Sequence, residues 1–354
     1  VKPERFPVIL LTGFLGSGKT TLLNKLLRDP AMAATAVLVN EFGEVGIDHA
    51  LIQQACGDVV LLENGCICCT VREGLAAALL DLAEKRDRGE VPAFERIMIE
   101  TTGLADPIPI IQLIVGDSEV AQRYGLLQVL TVIDATCGMT SLDAQPEAMS
   151  QLTAADCLWI SKPDIAADGQ VEALWTRLEA LNPAASLLSA ARARDQASLV
   201  RACGGSLASA SLDRRLGWSR LAHTTHGLDC ACCARRPLLP ALAHRRIQST
   251  CIVRSAPLRW DVIGPWLEML MQTRGDQILR LKGIVCIEGD EDRPWAIHAV
   301  LGHTCAPERL AKWTGEERLS RLVFIVQDLD TDDGEIERSL AEFENQCALP
   351  SLAR

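Results

Sequence analysis

An α/β domain built on a mainly parallel sheet, followed by a smaller α+β domain, is the fold class this sequence predicts. Three observations carry it. Short apolar runs alternate with helix-period stretches over the first two hundred residues. A glycine-rich turn stands between the first run and the first helical stretch. A second unit begins near Ile247, in which strands and helices follow without strict alternation.

The elements follow in order. Pro7 to Leu11, Ala36 to Asn40, Val59 to Leu62, Arg96 to Glu100, Leu127 to Asp134, Cys157 to Ser161 and Ala185 to Ser189 are short and apolar, as strands buried on both faces are. Thr20 to Arg28, Gly74 to Arg86 and Gln170 to Leu181 place Leu, Ala or Trp at three- and four-residue spacing, which predicts helices. In the second unit, Ile247 to Arg254, Ile278 to Ile287, Trp295 to Leu301 and Leu322 to Gln327 read as strands. Leu258 to Gln272 reads as an amphipathic helix with Val262, Trp266, Met269 and Leu270 on its apolar face, and Glu335 to Cys347 as a closing helix.

The 354 residues exceed one average domain of about 150. With 48% hydrophobic and 23% charged residues the chain can build cores, which excludes intrinsic disorder. No apolar run approaches the ~18 residues of a membrane span. Val1 to Leu10 lack the layout of a secretion signal, so the expected location is the cytoplasm. A net charge of −11 argues against a general nucleic-acid binder. Between residues 191 and 254, eleven arginines stand against three aspartates, a local charge of +8, and Gly, Ser, Ala and Pro are frequent. Part of this stretch therefore reads as a linker. The expected organisation is a nucleotide domain over 1–205, a basic segment over 206–246, and a C-terminal domain over 247–354.

Gly13-Phe-Leu-Gly16-Ser17-Gly18-Lys19-Thr20 matches G-x-x-x-x-G-K-[ST], the P-loop. Glycines let backbone N–H groups wrap phosphate oxygens. Lys19 reaches the β- and γ-phosphates, Thr20 ligates Mg²⁺, and the helix that Thr21 continues points its positive end at the anion. A P-loop needs a further carboxylate for Mg²⁺, and Glu100 ends an apolar strand with Gly103 three residues on. Lys19, Thr20 and Glu100 are thus the expected catalytic set. Ser161-Lys162-Pro163-Asp164 is similar to the guanine-reading [NT]-K-x-D. Asp164 would accept from guanine N1–H and the exocyclic amine, Lys162 would pack along the ring, and Ser189-Ala190 would meet the guanine oxygen. Ser161 departs from the usual Asn or Thr.

Fourteen cysteines are many for a chain that can build its own core. Cys66, Cys68 and Cys69 form one C-x-C-C, and Cys230, Cys232 and Cys233 a second. Thiolates this close suit Zn²⁺, Co²⁺ or Cu⁺; packing in a strand-end pocket and a redox dithiol are the other readings.

Taken in order, G-F-L-G-S-G-K-T, V-N-E-F-G-E-V-G-I-D, N-G-C-I-C-C and E-T-T-G-L-A-D-P resemble the CobW family of metallochaperone GTPases, relatives of HypB and UreG, and most of all its YjiA-like branch. Arg280-x-Lys282-Gly283 and Arg321-Leu-Val-Phe-Ile325 resemble that family's C-terminal domain. The resemblance implies GTP and Mg²⁺ at the P-loop, and a cargo metal at Cys66, Cys68 and Cys69. Zn²⁺ is the expected cargo, with Co²⁺ or Fe²⁺ as alternatives. It also implies a switch over Asn40 to Asp48, within which Glu41 lends a carboxylate either to the cargo or to Mg²⁺, and a client metalloprotein that receives the metal. His223, His226 and Asp229 beside the second C-x-C-C read as an auxiliary metal tract. Two rival functions are a non-catalytic zinc store or sensor and a small-molecule kinase; Ser161 to Asp164 argues against the kinase.

Overall fold

A computed structural model describes residues 5–40, 61–63, 71–204, 247–300, 302–304, 307–310, 313, 318–329 and 334–348. The chain divides into two compact units, Val1–Glu179 with Ala185–Gly217, and Ala180–Ala184 with Trp218–Arg354.

The first unit runs β1 (Phe6–Thr12), α1 (Lys19–Leu27), a 3₁₀ turn (Pro30–Met32), β2 (Thr35–Asn40), β3 (Leu61–Glu63), α2 (Val71–Asp87) and β4 (Arg96–Thr101). It continues through α3 (Ile108–Gly116), α4 (Val120–Arg123), β5 (Tyr124–Asp134), α5 (Gly138–Ala144), α6 (Pro146–Ala154), β6 (Cys157–Ser161), α7 (Gln170–Leu181), β7 (Ser186–Ser189) and α8 (Ala193–Cys203). The strands lie in the order β3-β2-β4-β1-β5-β6-β7, and the pairings between them are parallel. This is the expected parallel α/β domain.

The side-chain period of two explains its core. Ile9 and Leu11, Val37 and Val39, Leu130 and Val132, and Cys157 and Trp159 present one face of the sheet. Leu22, Leu23, Leu26 and Leu27 of α1 and Leu199 of α8 close over it. Burying each such leucine contributes roughly 1.5–3 kcal/mol, which fixes α1 and the loop before it against the sheet.

Several elements escaped the periodic reading. Helix α3 is apolar nearly all round, with Ile108, Ile110, Ile111, Leu113 and Ile114 buried, so it carries no amphipathic stripe. Helix α6 starts at Pro146, a residue that tolerates the first helical turn. Helix α8 lies in the basic stretch but within the expected nucleotide domain, and its Asp195, Leu199 and Cys203 are buried. Strand β5 begins at Tyr124, ahead of Leu127, because the Tyr124 ring is buried and its hydroxyl donates to Leu79 O at 2.6 Å.

The second unit contains β8 (Ile247–Arg254), α9 (Trp260–Arg274), β9 (Ile278–Val285), β10 (Trp295–Val300), β11 (His303–Thr304), β12 (Glu308–Arg309), β13 (Ser320–Gln327) and α10 (Glu335–Ala348). Its antiparallel sheet has the order β11-β10-β9-β13-β8, with β12 on β10. Ile252, Leu281, Ile297, Leu322 and Phe324 pack against Ile263, Trp266, Leu267 and Leu270 of α9 and Ile336 and Leu340 of α10. This is the expected α+β domain. On α9, Met269 is only partly buried, and Ile263, Leu267 and Met271 share the apolar face.

Candidate functional site

The loop between β1 and α1 stands at the carboxyl end of a central strand, where open α/β sheets bind ligands. Gly13, Gly16 and Gly18 have φ of 145°, 68° and 94°. A side chain at Gly13 would also lie 2.3 Å from Val132 O, so the loop closes only with glycine there. Ser17 N donates to Phe14 O at 3.2 Å, and Gly18 caps α1. Lys19 Nζ folds back over the loop and donates to Gly13 O (3.0 Å) and Phe14 O (3.3 Å). Thr21 is exposed on the first turn of α1.

Strand β4 lies between β1 and β2 and brings Glu100 level with Leu11 and Val39. Glu100 is 4% exposed, and its Oε1 accepts from Thr20 Oγ1 at 2.8 Å. Thr101 Oγ1 donates to Thr12 Oγ1 at 2.8 Å, tying the ends of β4 and β1. Gly103 then packs on the phosphate loop so closely that a Cβ there would stand 2.6 Å from Leu15 N. Gln151 on α6 secures this turn by donating from Nε2 to Gly103 O (3.1 Å) and Ala105 O (3.0 Å). A hydroxyl beside a buried carboxylate is a pair of hard oxygen donors, and it fits Mg²⁺.

The other wall comes from β5, β6 and β7. Ser161 Oγ donates to Ser17 O at 2.6 Å, so the small hydroxyl that departs from Asn or Thr ties its loop to the phosphate loop. Lys162, with φ of 53°, donates from Nζ to Gly16 O (2.7 Å) and Asp134 Oδ2 (2.7 Å). Burial pushes the Asp134 carboxyl up, but hydrogen bonds from Lys162 and Thr136 outweigh it and hold it below the usual carboxylate range. Asp164 is exposed on the turn after Lys162. Ser189 ends the adjacent strand, paired with Ile160, and its N–H donates to Asp195 Oδ2 at 3.1 Å.

The structure therefore gathers Gly13, Gly16, Ser17, Gly18, Lys19, Thr20, Glu100 and Lys162 around one loop. Asp134, Gln151 and Asp195 were missed from sequence. Asp134 had a signal, since it follows an apolar run at a strand end much as Glu100 does; Gln151 and Asp195 had none. Glu41, the three thiols Cys66, Cys68 and Cys69, and the tract His223, His226, Asp229, Cys230, Cys232 and Cys233 lie outside the described residues. Among the described residues no three His, Cys, Asp or Glu side chains group to hold a metal ion, and no helix is long and apolar enough to cross a membrane.

Residues 7–189 match the model of the CobW/HypB/UreG nucleotide-binding domain, and residues 247–344 that of the Cobalamin synthesis protein cobW C-terminal domain. The chain is 34% identical over 290 residues to the zinc chaperone YjiA of Escherichia coli, covering 81% of this chain and 83% of that one. It is 37% identical over 166 residues to the zinc-regulated GTPase metalloprotein activator 1 of Schizosaccharomyces pombe, covering 45% of this chain and 39% of that one. The crystal structure of Zn(II)-bound YjiA GTPase from E. coli superposes with a TM-score of 0.64 at 25% identity, over 96% of this chain and 99% of that one. With its nucleotide-binding domain and its C-terminal domain both matched, the chain belongs to the CobW family.

Proposed function

We propose that the protein is a GTP-hydrolysing metallochaperone that captures Zn²⁺ as cargo at Cys66, Cys68 and Cys69 and passes it to a client metalloprotein in the cytoplasm. The observation that carries the reading is the shared edge of the sheet. Glu63, Val39 and Glu100 stand in register on β3, β2 and β4, so the chain leaves β3 at the nucleotide end. Two strand spacings, about 10 Å, separate β3 from β4. Cys66 follows Glu63 by three residues, and Glu41 follows the end of β2. The relatives' names supply the metal and the nucleotide.

On this reading Lys19 and the loop N–H groups hold the phosphates, Thr20 and Glu100 hold Mg²⁺, and Lys162, Asp164 and Ser189 hold guanine. Mg²⁺, when bound, neutralises charge on the β- and γ-phosphate oxygens. Asn40 to Asp48 would be the segment through which the nucleotide state reaches the three thiols, with the GTP-bound state favouring metal capture and hydrolysis its release. Co²⁺ and Fe²⁺ are alternative cargoes for the same donors.

The test is competitive titration of Zn²⁺ against a chromophoric chelator, with a non-hydrolysable GTP analogue and with GDP. Affinity is expected to be roughly 5- to 150-fold higher with the analogue, and Zn²⁺ to tighten GTP by the same factor. Cys66→Ser, Cys68→Ser and Cys69→Ser should each lose it. Equal affinity in both nucleotide states, with no effect of Zn²⁺ on GTP turnover, would favour the store or sensor instead. Asp164→Asn should lower the preference for GTP over ATP, and Lys19→Ala should abolish hydrolysis.

A further inference from the structure

We infer that Asp134 is a specificity-determining positioning residue: it pins the Lys162 ammonium against the phosphate loop and so sets the lysine stem along which the base ring packs. The inference rests on the guanine reading of Ser161 to Asp164.

Lys162 is placed by its surroundings. Its φ of 53° is unusual for a residue with a side chain, and such a conformation persists only where neighbours hold it. A lysine ammonium is a point charge on a flexible four-carbon stem, so one neutral acceptor leaves its direction loose. Here it has two partners, Gly16 O and Asp134 Oδ2, both at 2.7 Å. The carboxylate contact is charge-assisted and the stronger of the two.

Asp134 is itself rigid. It is the last residue of β5, in register with Ser161 of β6, and only 5% exposed. Its Oδ1 accepts from both Thr136 N and Thr136 Oγ1 at 2.7 Å, which leaves Oδ2 to the lysine. The Lys162 side chain keeps 38% of its exposure, so its stem stays open to a ring while its tip is fixed. Asp134 thereby couples the strand end, the base-reading turn and the phosphate loop. It acts through Lys162, so its loss should fall on the base and spare the phosphates.

The test compares dissociation constants of fluorescent GDP and ADP analogues in the presence of Mg²⁺. Wild-type protein is expected to bind GDP more tightly. Asp134→Asn keeps an acceptor for Thr136 but removes the charge, and should weaken GDP about tenfold and ADP by less than about twofold. Lys162→Met should lose at least as much, because it also gives up the contact to Gly16 O, and adding Asp134→Asn to it should cost nothing further, since Asp134 acts through the lysine. If Asp134→Asn does not fold, Asp134→Glu is measured with the same expectation, because the longer arm displaces the ammonium. Equal weakening of GDP and ADP would reduce Asp134 to a structural group and overturn the inference, and so would losses that add in the double variant. Equal GDP and ADP affinity in wild-type protein would remove the guanine reading itself, and the inference with it.

Discussion

Thr20 Oγ1 donates a 2.8 Å hydrogen bond to Glu100 Oε1, across eighty positions of sequence. Thr20 lies in the first turn of α1 and Glu100 next to the last residue of β4, and parallel pairing of β1 with β4 brings them to one edge. Glu100→Gln keeps an acceptor for the hydroxyl but removes the charge. Phosphate release should fall by about 10²-fold, with nucleotide affinity becoming less dependent on Mg²⁺. Turnover within twofold of wild type would contradict the Mg²⁺ assignment.

Gly103 is packed against backbone. An added Cβ would meet Leu15 N at 2.6 Å and Leu15 Cα at 2.7 Å, and neither can swing aside as a side-chain end does. Gly103→Ala should therefore separate the turn after Glu100 from the phosphate loop. The expected result is a loss of GTP hydrolysis of at least about tenfold with the chain still folded, checked by phosphate release and circular dichroism.

Asp134 links stability to pH. Its carboxyl is held below the ordinary value near 3.9, so its contribution is fully present above that value and is lost as pH falls through the folded value. The difference in melting temperature between wild type and Asp134→Asn should be constant from pH 7 to about pH 5 and shrink below about pH 4. A difference that widens on acidification would contradict the ion pair with Lys162.

Cys203 is fully buried, and burial pushes its thiol up to about 12 in spite of a hydrogen bond from Gln128 Nε2. Its thiolate is therefore scarce at neutral pH. With zinc bound, Cys137 and Cys251, which are exposed, should react with an alkylating reagent, while Cys203 should react only after denaturation. Peptide mapping of the alkylated protein reads this directly.

The tract from His223 to Cys233, read from the sequence as an auxiliary metal tract, is expected to be separable from the primary site. Deleting residues 223–233 should lower total zinc bound and leave the GTP-dependent zinc affinity intact, measured by the same chelator titration. Loss of the GTP dependence would assign that tract to the primary site.

Much of the molecule was legible in its sequence because the information is local. A buried parallel strand must be apolar along its length, and a phosphate loop must place glycines where φ is positive, so Phe6–Thr12 and Gly13 to Thr20 declare themselves. The same holds for Glu100, Ser161 and Lys162, each at or just past a strand end. What the sequence hid is whatever lacks a period or a motif. Helix α3 is apolar nearly all round, α8 lies in a basic stretch, and Gln151 is an ordinary polar residue until α6 aims it at Gly103 O and Ala105 O. Sequence alone named most of the residues that the structure gathers around the loop after β1. Only the tertiary structure decided that Thr20 meets Glu100, that Ser161 ties to the phosphate loop, and that Asp134 holds Lys162, because strand order and register, not spacing along the chain, determine which strand ends are neighbours.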